Sequence, residues 1–448
     1  MIRKILIANR GEIALRIART CREMGIATVA VYSTADRDSP VVRYADESVH
    51  IGPAPPRRSY LYMPSIVEAA LRCGADAVHP GYGFLSEDPD FAQVCAAHEL
   101  VFIGPRPEVM EKAADKARVR ALLARAGLPV LPGSDGPVGG AAEAEQIARA
   151  IGFPLVIKAS AGGGGRGITV VERAADFVPA LQQTSHEARM VFGNGEVYLE
   201  RYLPAARHVE VQILADAHGN VVHLGERDCS LQRRNQKLVE ESPSPGLDRG
   251  LADRLGELAV TGARSLAYSG VGTMEFLVGP DGTATFMELN ARIQVEHPVT
   301  EMVTGIDLIR EQILVAAGEP LTFTQDDIRP SGVAIECRIN AEDPEAGFRP
   351  APGLLKAFRP PGGPFTRVDS GFHEGDQVPA FYDSLLAKLI VWAPDREQAL
   401  ARAQRALAEF VVDGPGVHTT IPVLRRLLAE PAFVQGRHTT RFVEGLLP

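Results

Sequence analysis

Cysteine is scarce in this chain: Cys21, Cys73, Cys95, Cys229 and Cys337 are its five thiols in 448 residues, and no Cys-x-x-Cys pair occurs. Odd in number and scattered, they fit reduced thiols in a cytoplasmic protein and offer no zinc site. No uncharged apolar run approaches the roughly 18 residues that a membrane span needs. The apolar stretch in MIRKILIANRGEIALR is too short for a secretory leader and is broken by Asn9, Arg10 and Glu12. Positive charge is not in surplus either. With 47 Lys and Arg against 56 Asp and Glu the net charge is −9, which argues against a general nucleic-acid binder. Aromatic residues make up only 6%, a poor supply for stacking along single strands. The expectation is a soluble cytoplasmic α/β enzyme of about three domains, at roughly 150 residues each.

The first hundred residues alternate apolar runs with helical periodicity. Strands are expected at KILIA (from Lys4), TVAVYS, GADAVHP and VFIGP, with helices at EIALRIARTCREMG, MPSIVEAALRCG and FAQVCAAHE between them. Strand–helix–strand order with short connections implies a doubly wound parallel sheet. The first strand-to-helix turn reads Asn-Arg-Gly-Glu rather than Gly-x-Gly-x-x-Gly, so the dinucleotide fingerprint is missing and no such cofactor follows. A helical stretch at Lys112–Gly127 leads into a Pro- and Gly-rich linker at Pro129–Pro137. A smaller unit follows, with helices at AAEAEQIARAIG and ending near Phe192, and strands at PLVIKAS, ITVVE and EVYLERYL. From there to about Pro330 the pattern is antiparallel, as in the hairpin around His218-Gly-Asn; the last segment closes on the amphipathic helix REQALARAQRALAEF.

Gly162–Gly165, then Arg166-Gly167, lies between two of those strands, with Lys158 ending the first. Successive glycines let backbone amides approach phosphate oxygens, and a nearby lysine supplies a point charge. A plain hairpin tip would use fewer glycines, so this segment reads as a lid over phosphates; no Gly-Lys-Ser/Thr follows, which excludes a Walker loop.

The sharpest constellation is GTMEFLVGPDGTATFMELNARIQVEHP. A turn at Gly279-Pro-Asp-Gly282 pairs Glu275 with Glu288, Thr273 with Asn290 and Leu277 with Phe286. Two carboxylates facing each other about 5 Å apart repel unless a cation lies between them. With an amide beside them, they suit magnesium or manganese bridging nucleotide phosphates. The alternation continues through Arg292, Gln294 and Glu296, against an apolar row of Leu289, Ala291, Ile293 and Val295. An exposed amphipathic strand would show the same period. The chemical grading of the polar row favours a site in which Arg292 holds a small planar anion and Glu296 acts on it as a base.

Beyond these residues, IANRGEIALRI, HPGYGFLSED, KASAGGGGRG, RHVEVQILAD, ERDCSLQRRNQK, FMELNARIQVEHPVTE, IECRINAEDP and FYDSLLAKLI resemble the biotin carboxylases of the ATP-grasp superfamily, and the likeness runs over essentially the whole chain. It implies a Rossmann-like domain at residues 1–113, an ATP-grasp domain at 114–330 with a lid at about 131–203, and a C-terminal domain at 331–448. The implied activity is carboxylation of biotin by bicarbonate and ATP through carboxyphosphate, with two magnesium or manganese ions. Carried over by motif, Lys116, Lys158, His208, Gly164 and Gly165 resemble the phosphate and nucleotide contacts. Glu200, Arg201, Tyr202 and Leu203 resemble the adenine hinge, with Gln232 and Asn235 also on the ATP side. Glu275, Glu288 and Asn290 match the metal ligands. Lys237, Arg292, Gln294 and the backbone of Val295 match the bicarbonate site. Glu296 matches the base and Arg338 the cation at the biotin enolate, with Tyr82 and Gly83 at the biotin approach.

Three positions depart from the family pattern: Asn235 stands where histidine is frequent, Ala161 replaces a glycine of the run, and Thr169 an arginine. The chain ends at Pro448 without an Ala-Met-Lys-Met motif, so biotin is expected on a separate carrier protein, with separate carboxyltransferase subunits, as in multi-subunit acetyl-CoA carboxylases feeding malonyl-CoA into fatty acid synthesis. The same module in a propionyl-CoA or pyruvate carboxylase is the alternative. Arg16, Arg19, Glu23 and Arg367 resemble a homodimer contact.

Overall fold

The computed structural model describes residues 2–160 and 167–447. The N-terminal unit is a five-stranded parallel sheet, ordered Glu47–Gly52, Ala27–Ser33, Lys4–Ile7, Ala77–His79 and Val101–Phe102. The three inner strands are present because their apolar residues are buried on both faces, as parallel sheets between helices require, whereas the edge strand Val101–Phe102 is partly exposed. Glu47–Gly52 was not anticipated. It is an edge strand whose Glu47, Ser48 and His50 are exposed, and its apolar signal is only the short alternation Val49 and Ile51.

The turn after Ala77–His79 bears Tyr82 and is clamped by Asn9, whose Nδ2 donates to the carbonyls of Pro80 and Tyr82 at 2.6 and 2.8 Å. Gly81, at φ +63, lies so close that a Cβ would stand 2.9 Å from Asn9 Nδ2. The Asn-Arg-Gly-Glu turn thus anchors a neighbouring turn.

The single helical stretch expected at Lys112–Gly127 is instead two helices, Pro107–Ala114 and Lys116–Arg125. Asp115 breaks the run: its backbone is extended and its carboxylate caps the Arg118 N–H, which places Lys116 at the first position of the second helix. The Pro129–Pro137 segment is tied down at its start and its middle, Pro129 accepting from Phe286 N at 2.7 Å and Gly133 bridging to Glu200. The smaller unit is an antiparallel sheet ordered Ile168–Val171, Leu155–Ala159, Val197–Arg201, packed by helices Ala141–Ile151 and Phe177–Phe192. Gly164 and Gly165 lie outside the described residues.

An eight-stranded sheet joins the rest of the chain. Its order is Ala284–Asn290, Gly270–Val278, Arg207–Ala215, Val221–Arg233, Gln236–Ser242, Val333–Asn340, Leu385–Ala393 and Thr366–Ser370. All its neighbours are antiparallel, so the expected hairpin at His218 is one step in it. The pairing of Gln236–Ser242 with Val333–Asn340 carries the C-terminal segment into this sheet and brings Arg338 near the central residues. No described helix is long and apolar enough to cross a membrane.

Candidate active site

The hairpin at Gly279–Gly282 pairs Glu275 with Glu288 and Thr273 with Asn290, as its turn signal implied. The expected pair Leu277–Phe286 does not form. Phe286 faces Phe276 and Leu277 faces Thr285, because Met287 is an extra residue that bulges the second strand. The bulge lies between the turn and the glutamates and shifts the register by one residue, which is what sets Glu288 opposite Glu275. On its other edge the first hairpin strand pairs with Arg207–Ala215, putting Glu275 opposite Glu210, and Glu210 in turn faces Arg227. Glu288, Glu275, Glu210 and Arg227 therefore form one row across four strands.

Three acids in a row are unfavourable unless cations separate them. Lys116 Nζ bonds Glu288 Oε2 at 2.6 Å. His208 Nε2 lies 2.8 Å from Glu275 Oε2. Lys237 Nζ reaches Glu210 Oε2 at 2.8 Å and Glu275 Oε1 at 3.4 Å. Arg227, fully buried, bonds Glu210 Oε1 at 2.5 Å, Gln212 at 2.7 Å and Thr300 at 2.9 Å. Burial alone would raise the Glu275 carboxyl, but Lys237 and His208 outweigh it and hold the group well below the usual range. Glu288 is likewise lowered, with Lys116 overcoming burial. Asn290 Nδ2 and Gln294 Nε2 both donate to Glu275 Oε1, at 2.8 and 2.9 Å. Glu275, Glu288 and Asn290 thus lie on two paired strands and carry carboxylate and amide oxygens, the donor type that suits a hard divalent cation.

The polar alternation does not continue as a strand. The strand ends at Asn290, residues 291–296 are irregular, and a helix runs from His297 to Thr304. Side-chain clamps do the work of a ladder: Glu87 accepts from Ala291 N at 3.1 Å and from Arg292 Nε at 2.9 Å, and Arg292 Nη2 donates to Asn290 at 3.0 Å. Glu296 is buried, its Oε1 bonded to Lys237 and its Oε2 to Arg338 Nη2 at 2.9 Å. Burial favours its neutral form, yet Lys237, Arg338 and Arg227 keep it a carboxylate well below the ordinary range. Arg338 is held from behind by Glu240 Oε1 at 2.6 Å, and burial pushes that acid up to about 7.

On the three-stranded sheet, Lys158 pairs with Glu200, which also lies 3.5 Å from Arg120 Nε. The Arg201 side chain turns to the Ile151 carbonyl at 2.7 Å, and Tyr202 N bonds Pro154 O at 3.1 Å, with Leu203 half-buried next in the chain. Gln232 faces Lys237 across a hairpin whose two turn residues, Arg234 and Asn235, both have positive φ (48° and 64°), the geometry of a tight two-residue turn. The Tyr82 hydroxyl bonds Glu12, and Gly83 beside it is exposed.

Sequence reasoning missed Glu87, Glu210, Arg227 and Glu240. A signal for Glu210 existed, since His208, Glu210 and Gln212 alternate with Val209, Val211 and Ile213; no local signal marks the other three. Of the expected dimer set, Arg19 and Glu23 are exposed, but Arg16 and Arg367 converge within the protomer on Glu301, at 2.9 and 2.7 Å.

A three-stranded unit bearing Lys158, set beside a sheet whose polar row carries paired carboxylates, fits the architecture of an ATP-grasp enzyme. Comparison with protein-family models agrees throughout: residues 1–110 match "Biotin carboxylase, N-terminal domain", 115–324 "Carbamoyl-phosphate synthase L chain, ATP binding domain" and 336–445 "Biotin carboxylase C-terminal domain". The chain is 53% identical over 441 residues to a biotin carboxylase of Nostoc, covering 98% of each. A biotin carboxylase complex with β,γ-ATP from Campylobacter jejuni superposes with a TM-score of 0.97 at 46% identity, over 99% of both chains. The biotin carboxylase domain dimer of Hydrogenobacter thermophilus 2-oxoglutarate carboxylase, solved with MgADP, ADP and bicarbonate, gives 0.96 at 47% identity, over 99% of this chain and 98% of that one. The chain belongs to the biotin carboxylase family and is an enzyme.

Proposed function

We propose that this enzyme carboxylates biotin with bicarbonate at the expense of ATP, and that the residues gathered above carry the reaction. The observation that supports this reading best is Glu296, buried between Lys237 and Arg338 and one residue from the Gln294–Val295 segment. Bicarbonate is a poor electrophile. Its oxygen attacks the γ-phosphorus of ATP, giving ADP and carboxyphosphate, which breaks down to carbon dioxide and phosphate beside the biotin ureido nitrogen. Lys116, Lys158 and His208 bind the phosphates. Glu275, Glu288 and Asn290 would hold the magnesium or manganese ions, whose chemistry is to neutralise phosphate charge. Lys237, Arg292, Gln294 and the Val295 backbone seat bicarbonate, and Glu296 takes its proton.

A carboxylate clamped by two cations is a weak base. Bicarbonate, itself an anion, competes for the Lys237 and Arg338 donors, and as they turn to it Glu296 regains basicity where the proton must go. The phosphate released from carboxyphosphate takes the ureido N–H proton, Arg338 stabilises the biotin enolate so formed, and its nitrogen adds to the carbon of carbon dioxide, with Tyr82 and Gly83 at the approach. We further infer that biotin arrives on a separate carrier protein, that the enzyme is a homodimer, and that it is cytoplasmic. The acceptor beyond biotin is read as acetyl-CoA; the Hydrogenobacter neighbour belongs to a 2-oxoglutarate carboxylase, so another acceptor is the second reading.

The test is ADP release with magnesium, ATP and bicarbonate, with and without free biotin. Strong stimulation by biotin that vanishes without bicarbonate is the expected result. ATP turnover indifferent to biotin sinks the reading.

A further inference from the structure

Lys388 lies on the strand Leu385–Ala393 with 0% of its surface exposed. A buried ammonium is costly unless it is paired and hydrogen-bonded. Its Nζ donates to the Val295 carbonyl at 2.9 Å and lies 3.0 Å from Glu12 Oε1. The same Glu12 oxygen accepts the Tyr82 hydroxyl. Three stretches of chain far apart in sequence therefore meet on one nitrogen. Glu336 also faces the ammonium, fully buried, with both carboxyl oxygens lacking a hydrogen-bond partner. On its own sheet Lys388 is flanked by Arg338 on one strand and Asp369 on the other.

The carbonyl that Lys388 holds belongs to the peptide joining Val295 to Glu296. Residues 291–296 make no ladder, so the orientation of that peptide depends on side-chain clamps. Glu87 fixes the segment's start, and Lys388 fixes its end at the base itself. We propose that Lys388 is a positioning residue for the reaction: it sets the Val295–Glu296 peptide for bicarbonate and, through Glu12, ties that peptide to the Tyr82 turn where biotin approaches. This rests on the reading of Val295 and Glu296 as the bicarbonate site.

The substitution Lys388→Met keeps volume and removes the nitrogen. Glu12 and Glu336, whose carboxyls burial already pushes up, take protons rather than remain as unpaired charges, which favours a folded variant. In steady-state ADP release the KM for bicarbonate rises at least tenfold and the KM for biotin at least threefold, while the KM for ATP stays within twofold. A general loss of structure would move all three together. A bicarbonate KM within twofold of the parent overturns the proposal. If Lys388→Met does not fold, Glu12→Gln decides: it keeps shape and removes the anion that holds the ammonium, so the bicarbonate KM rises at least threefold with the ATP KM unchanged, and an unchanged bicarbonate KM refutes the role. Failure of the underlying reading shows separately, as absence of biotin- and bicarbonate-dependent ADP release in the parent enzyme.

Discussion

Glu296→Gln isolates proton acceptance from everything else in the site. The amide has nearly the same shape and keeps one oxygen able to accept from Lys237 or Arg338, but it cannot take the bicarbonate proton. Removing a general base costs on the order of 10²- to 10⁴-fold in rate, or about 3–5 kcal/mol of transition-state stabilisation at roughly 1.4 kcal/mol per tenfold. The stability cost is smaller than usual for a buried carboxylate, because neither cation is orphaned: Lys237 keeps Glu210 at 2.8 Å and Arg338 keeps Glu240 at 2.6 Å. What is lost is the charge assistance of two hydrogen bonds, about 1–3 kcal/mol in all. Nucleotide affinity is expected to hold within twofold, since Lys116, Lys158 and His208 have Glu288, Glu200 and Glu275 as partners and no bond to Glu296. The assay pairs biotin-dependent ADP release with calorimetric titration of an unhydrolysed ATP analogue. More than a tenth of the parental kcat, or a fivefold loss of nucleotide affinity, would falsify the base assignment.

How far the sequence reaches is visible in the hairpin. Gly279-Pro-Asp-Gly282 marked the hairpin and its glutamate pair, but the register beside the turn would by itself set Met287 opposite Glu275, and only the bulge brings Glu288 there. The bulge at Met287 has no composition of its own and was invisible. Period two also overreached. Ala291 and Ile293 are buried and Arg292 turns to the site, as a strand would have it, yet the backbone there is irregular and held by Glu87, some two hundred residues earlier. The row from Glu288 to Arg227 depends on which strands are neighbours, a non-local fact set by sheet order; within a single strand only the His208–Glu210–Gln212 alternation hinted at it. Glu47–Gly52 escaped because its apolar face is only Val49 and Ile51, two residues set among exposed polar ones. Lys388 and Glu12 acquire meaning only when three domains pack together.

Two further predictions probe the buried charges. Arg227→Ala leaves Glu210 without its 2.5 Å partner in a fully buried position and breaks the tie to Thr300; urea unfolding should show a loss of about 3–5 kcal/mol, and a loss below about 1 kcal/mol contradicts the view that Arg227 neutralises the row. His79 bears on acid stability. It is fully buried at the start of the turn that carries Tyr82, with Nδ1 accepting from Gly81 N at 3.1 Å. Burial, aided by the nearby Arg16 charge, pushes its pKa down to about 3. The unfolded chain takes up this proton below about pH 6.5, whereas the folded protein resists until about pH 3. Its contribution is therefore complete above pH 6.5 and declines as pH falls toward 3, by roughly 1.4 kcal/mol per unit. His79→Asn keeps an acceptor for Gly81 and removes the titrating ring. Urea midpoints compared between pH 6.5 and 4.5 should thus fall more steeply for the parent than for the variant, by about 2–3 kcal/mol over the interval. Parallel slopes would mean that the folded protein admits the proton, and that the turn beneath Tyr82 opens more readily than its packing implies.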